Sequence, residues 1–104
     1  MNLRYLIVMA ATALAAAQPA AAGDAAAGEK AYAAKACIGC HGPAGTSANP
    51  SLYPTLKGQD AAYVTEQLNA FRTGARSNPL MTPMSTGLSE GDVADIAAYI
   101  ASLK

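Results

Sequence analysis

Cys37 and Cys40 stand in the run Cys-Ile-Gly-Cys-His, and the only histidine of the chain, His41, follows the second directly. These three residues are all the thiols and imidazoles that the 104-residue chain has, so their grouping constrains it more than any other feature. Four chemistries use such a group. A disulfide would close a very short loop, and the stabilisation from a bridge grows with the loop that it closes. A redox-active dithiol shares the C-x-x-C spacing but belongs in a strand-helix setting, and no strand pattern precedes Cys37. A zinc site needs four ligands, or three and a water. Cys37, Cys40 and His41 supply three at most, and the adjacent Cys40 and His41 are poorly disposed to grip one ion.

The fourth is covalent haem attachment through C-x-x-C-H. Thiols about one helical turn apart can reach the two vinyl groups of one porphyrin and form thioethers, and the next residue then offers its imidazole to the iron. The rest of the chain calls for such a group. Residues 23–104 contain one Phe, four Tyr and no Trp. A core drawn from so short a chain is marginal without a staple, metal or cofactor. A buried macrocycle replaces the missing aromatics at roughly 25 cal/mol per Å² of apolar area. One covalently attached haem c is therefore the expected cofactor.

The first 22 residues read differently from the rest. Arg4, an apolar run from Tyr5 to Ala17, and small residues around Pro19 have the layout of a secretory signal peptide. Cleavage is expected after Ala22, with Ala17 as second choice. That leaves residues 23–104 as one domain, exported to the periplasm. The apolar run is shorter than the roughly 20 residues that span a bilayer, so stable membrane insertion is not expected after cleavage.

An all-α domain is expected, with three main helices and long loops. The first helix covers about residues 24–36, rich in Ala and Lys, with Asp24 as cap. Residues 41–58 are dominated by Gly, Pro, Ser and Asn and read as a loop. A second helix starts at Asp60, its N-cap, and runs to Thr73, with Val64, Leu68 and Phe71 on one face and Gly74 as its stop. Residues 75–87 again read as loop. The last helix opens on Ser89 with Asp92 three residues later, a capping box, and Val93, Ile96, Ala97, Ile100 and Leu103 form its apolar stripe.

With a single His, the far side of the iron is left to Met, Lys, water or nothing. Residues 23–104 hold two methionines, Met81 and Met84. A thioether there favours ferrous iron and raises the potential, as suits an electron carrier. Arg72 and Arg76 are either partners of the haem propionates or solvated surface charges. Tyr53, Leu56, Leu68 and Phe71, with Leu52, are expected to line the pocket.

The whole of residues 23–104 resembles the class I c-type cytochromes, the small bacterial single-haem kind, and one half of the bacterial di-haem cytochromes. The resemblance rests on GEKAY, CIGCHG, YPTLKGQDAAYVTEQLNAFRTGAR, MTPM and GLSEGDVADIAAYIASL. It implies the cytochrome c fold, with Cys37 and Cys40 on the vinyls and His41 as proximal ligand. It assigns the distal ligand to Met81, seven residues before the Leu88 that leads into the last helix, and makes Met84 a pocket neighbour. Pro54 matches the proline whose carbonyl accepts the proton of the proximal imidazole. Gly28 and Tyr32 match residues at which the first helix crosses the last, with Tyr99 as aromatic partner. The chain departs from the pattern by one extra residue between Tyr32 and Cys37.

The expectation that follows is a one-electron carrier rather than an enzyme, meeting other redox proteins transiently. Six Lys/Arg against seven Asp/Glu in residues 23–104, with no basic cluster, exclude a nucleic-acid binder. No small-molecule substrate is expected. The competing readings are an open-site haem protein that binds gases or peroxide, and an electron-transfer subunit dedicated to one enzyme.

Overall fold

The computed structural model describes residues 23–104; the export signal expected at 1–22 lies outside them. Five helices follow one another: α1 (Ala25–Ala34), α2 (Cys37–His41), α3 (Ala61–Thr73), α4 (Met81–Thr86) and α5 (Glu90–Ser102), with a 3-10 turn at Pro43–Gly45. No strand occurs among the described residues, so the all-α expectation holds.

The core is built on α5. Its Val93, Ile96, Ala97 and Ile100 are buried, and α1 and α3 both pack on it. Val64 of α3 and Leu88 close the same cluster. The capping box forms as the sequence implies: Ser89 Oγ accepts from the Asp92 amide and Asp92 Oδ2 from the Ser89 amide, each at 3.0 Å. Leu103 does not extend the stripe, because it is the C-cap beyond the helix.

Asp24 caps α1 by accepting from the amides of Ala26 at 2.8 Å and Ala27 at 3.2 Å. The Asp24 amide donates to Asp95 Oδ1 at 2.8 Å, which ties the start of α1 to α5. At the crossing a Cβ on Gly28 would lie 1.9 Å from the Asp95 carbonyl oxygen, so only hydrogen fits. One turn on, Tyr32 meets Tyr99 with ring centroids 5.5 Å apart and planes tilted by 56°, a favourable aromatic geometry.

The expected first helix is two residues too long. It ends at Ala34, Lys35 is its C-cap, and Ala36 takes the left-handed conformation at φ 64°. That reversal breaks α1 and lets the cysteine-histidine run start a helix of its own. The α1–α5 crossing contacts at Gly28 and Tyr32 form as the resemblance implies.

Two further expectations are corrected. Asp60 occupies the N-cap position of α3, but its side chain makes no capping bond. Residues 75–87, read as loop, contain α4. Asn78 Oδ1 accepts from the amides of Leu80 at 2.9 Å and Met81 at 3.0 Å, and Thr82 Oγ1 accepts from the Asn78 amide at 2.9 Å. Pro83 lies in the first turn of α4, where the missing amide proton has no helical partner anyway, so proline is tolerated.

Candidate haem site

One cavity of about 770 Å³ runs between these elements, near the upper end of the range for small-ligand and cofactor sites. Helix α2 contributes Cys37, Cys40 and His41 to its wall. Cys37 and Cys40 lie at i and i+3, hence on one face of that helix. Both are free thiols, Cys37 half-buried and Cys40 exposed. Burial, with the neighbouring Cys40 adding to it, pushes the Cys37 thiol up. An attacking dithiol has a lowered pKa, so this environment runs against the dithiol reading.

His41 is 7% exposed. Its Nδ1 lies 2.7 Å from the Pro54 carbonyl oxygen. A carbonyl can only accept, so Nδ1 carries the proton and Nε2 keeps its lone pair for a metal. Directly after His41, Gly42 has φ 84°, and a Cβ there would lie 1.9 Å from the Thr46 carbonyl oxygen. The Gly42 carbonyl accepts from the Tyr32 hydroxyl at 2.6 Å and from the Gly45 amide at 3.2 Å. Burial pushes the Tyr32 phenol up to about 12.

The loop that carries Pro54 is itself bonded in place. Tyr53 N donates to Asn49 O at 2.8 Å, Leu56 N to Gly45 O at 2.8 Å, and Gly58 N to Ile100 O at 3.1 Å. Tyr53, Pro54 and Leu56 all line the cavity from this loop, as does Leu52, which stays 59% exposed instead of buried. From α3 come Leu68, half-buried, and Phe71, buried. Helix α4 supplies Met81, half-buried, and Met84, 45% exposed.

The two arginines separate. Arg72 does not line the cavity; its Nη1 donates to Asn69 Oδ1 at 2.9 Å. Arg76 does line it, with its guanidinium carbon 4.7 Å from the Phe71 ring centroid and Nη1 donating to Gln67 Oε1 at 2.6 Å. No Asp or Glu side chain is among the residues that line the cavity. Sequence reasoning did not single out Ser85, which is wholly buried on the cavity wall and whose Oγ has no hydrogen-bond partner. A lone Ser in a segment read as loop gives no signal of burial. Tyr63 and Gln67 also went unnoticed: Tyr63 lies beside the apolar face of α3, and Gln67, three residues after Val64, is polar and so did not count toward that face.

The residues fit a haem: two thiols on one helical face, an imidazole with its free nitrogen set by a carbonyl, two thioethers and a large apolar hollow. Helices and wrapping loops around a C-x-x-C-H helix define a c-type cytochrome. The chain belongs to the cytochrome c family, whose model matches residues 25–104. It carries covalently attached haem c and is an electron-transfer cytochrome.

The chain is 49% identical over 69 residues to cytochrome c-554(548) of Halomonas halodenitrificans, covering 64% of this chain and 82% of that one. It is 46% identical over 72 residues to cytochrome c4 of Azotobacter vinelandii, covering 65% of this chain and 34% of that protein. Among solved structures, reduced recombinant cytochrome c4 from Pseudomonas stutzeri superposes with a TM-score of 0.69 at 34% identity, over 77% of this chain and 48% of that one. The chain thus spans most of the first relative and between a third and a half of the two cytochromes c4, in keeping with the expected likeness to one half of a di-haem protein.

Proposed function

We propose that residues 23–104 form a periplasmic one-electron carrier whose haem is held by Cys37 and Cys40 and ligated by His41 and Met81, with residues 1–22 as the cleaved export signal. One observation carries the reading: His41 from α2 and Met81 from α4 line the same cavity, and His41 is already oriented by the Pro54 carbonyl. Bound there, the haem supplies an iron that takes up and gives back one electron.

The protein's own groups do the rest. Cys37 and Cys40 fix the ring to α2. The Pro54 carbonyl holds the imidazole in one tautomer and raises its basicity. The Met81 thioether, a soft ligand, would favour the ferrous state when it holds the iron and would leave no room there for an exogenous ligand. Met84 stands at the cavity rim. Arg76, stacked on Phe71, offers its remaining donors to a haem carboxylate, and Arg72 plays no part. Tyr53, Leu56, Leu68 and Phe71 exclude water from the ring.

Leu52, Tyr63, Leu80 and Met84 line the cavity and also keep exposed apolar surface. That suits a small, transient docking surface for another redox protein. Relatives from Stutzerimonas stutzeri and Thiomonas intermedia, 41% and 43% identical, are named thiosulfate dehydrogenase electron acceptor; a redox enzyme is accordingly the donor class that we infer. No helix among the described residues is long and apolar enough to cross a membrane.

The test is an absorption spectrum of the haem-loaded protein, oxidised and reduced, with and without carbon monoxide. A far-red sulfur-to-iron band in the oxidised form and no response to carbon monoxide are expected. Absence of the band with ready carbon monoxide binding would replace the carrier by the open-site reading.

A further inference from the structure

Ser85 is a buried polar residue of the site to which the carrier reading gives no role. Its side chain is 0% exposed, it lines the cavity, and Oγ has no hydrogen-bond partner. A buried orphan hydroxyl is uncommon and calls for a reason. Serine inside a helix ordinarily bonds back to the carbonyl four residues earlier, here that of Met81, and Ser85 does not. Its backbone is occupied elsewhere: the Ser85 carbonyl accepts from Leu88 N at 3.1 Å and from the Gly87 amide, which closes α4. The apolar side chains of Val64, Leu88, Ile96 and Ile100, which share the cavity wall, offer it no acceptor.

Met81 lies four residues earlier on α4, so the two side chains share one face of the helix. Helical side chains lean toward the N-terminal turn, which carries Ser85 toward Met81 rather than away from it. A thioether sulfur is a weak acceptor. We propose that in the haem-loaded protein the Ser85 hydroxyl donates to the Met81 sulfur and, through it, raises the reduction potential. This rests on Met81 as the axial ligand. A donor on that sulfur draws electron density from it, the sulfur then supports ferric iron less well, and the potential rises. Ser85 is thus a positioning residue, acting through Met81.

The experiment compares haem-loaded parent, Ser85→Ala, Ser85→Thr and Met81→Ala by redox titration and by the far-red sulfur-to-iron band. Expected are a lower midpoint potential and a displaced band in Ser85→Ala, with Ser85→Thr, which keeps the hydroxyl, close to the parent, and no band in Met81→Ala. A Ser85→Ala protein with parental potential and band overturns the proposal and leaves the axial reading intact. A changed potential with an unmoved band assigns the hydroxyl to another acceptor and overturns it as well. A band that survives in Met81→Ala overturns the axial reading itself, and the Ser85 proposal with it.

Discussion

Replacing Gly28 by alanine tests what holds α1 on α5. The added Cβ would lie 1.9 Å from the Asp95 carbonyl oxygen, 2.5 Å from the Asp95 carbonyl carbon and 2.8 Å from Tyr99 Cβ. The first two are backbone atoms, so no rotamer change relieves them, and the helices must part by about an ångström or more. Overpacking of this kind costs about 1–3 kcal/mol. Parting the helices also separates Tyr32 from Tyr99, a pair worth about 0.5–1.5 kcal/mol beyond its area. Together about 3 kcal/mol is lost, a large share of what a domain of this size has, and the melting temperature falls by about 15–20 °C. Guanidinium unfolding of the haem-loaded protein, followed by far-UV circular dichroism and haem absorbance together, gives the number. Gly91→Ala is the control: the nearest heavy atom to its Cβ is Ser89 Oγ at an ordinary 3.7 Å, and reduced chain entropy makes it neutral or stabilising by up to about 1 kcal/mol. A Gly28→Ala protein within about 0.5 kcal/mol of the parent would refute the claim that backbone contact demands glycine there.

Other outcomes follow from the same geometry. Ser89→Ala should cost about 1 kcal/mol at neutral pH by urea unfolding. Asp92, whose carboxyl is held below its usual value chiefly by the Ser89 backbone amide, stabilises the fold above the ordinary aspartate range and loses that contribution as pH falls, so Asp92→Asn should flatten the acid limb of the stability curve. Tyr32 has the opposite sign: its phenol is raised from 10.0 to about 12, so its contribution is complete below pH 10.0 and declines as pH rises toward about 12. Tyr32→Phe should remove that alkaline decline and cost about 1 kcal/mol at neutral pH, because the Gly42 carbonyl then keeps only its longer bond from the Gly45 amide at 3.2 Å. Arg76→Gln should alter the pH dependence of the midpoint potential while Arg72→Gln leaves it alone; equal effects from both would remove Arg76 from the carboxylate.

Much of this was legible in the sequence, for reasons that differ by residue. The cysteine-histidine run announces itself because its spacing has one chemistry that fits all three groups. The Ser89–Asp92 box and the stripe on α5 were legible because local capping and periodicity act within a few residues. Helix α4 was not, since proline and glycine weigh toward loop until Asn78 is seen capping the turn from outside it. The end of α1 was legible to within two residues, but not the backbone at Ala36, where alanine, a strong helix former, takes a left-handed conformation that nothing local requests. The choice between Arg72 and Arg76 depends on which one reaches past Phe71, a tertiary fact. Pro54 was legible only through family resemblance, because what matters is its carbonyl, which every residue has.

The two sides of the haem are secured by different means. On one, α2 is anchored through Tyr32 to Gly42, and His41 to a loop that hangs from the end of α5. On the other, six residues of α4 rest chiefly on α3, with Met84 at the cavity rim. Segments with few tertiary contacts undock at far lower cost than the whole fold. If Met81 holds the iron as proposed, an undocking of α4 alone would withdraw that sulfur while α2 keeps His41 in place, so the strength of the α3–α4 contact would set how well the distal side of the iron stays closed.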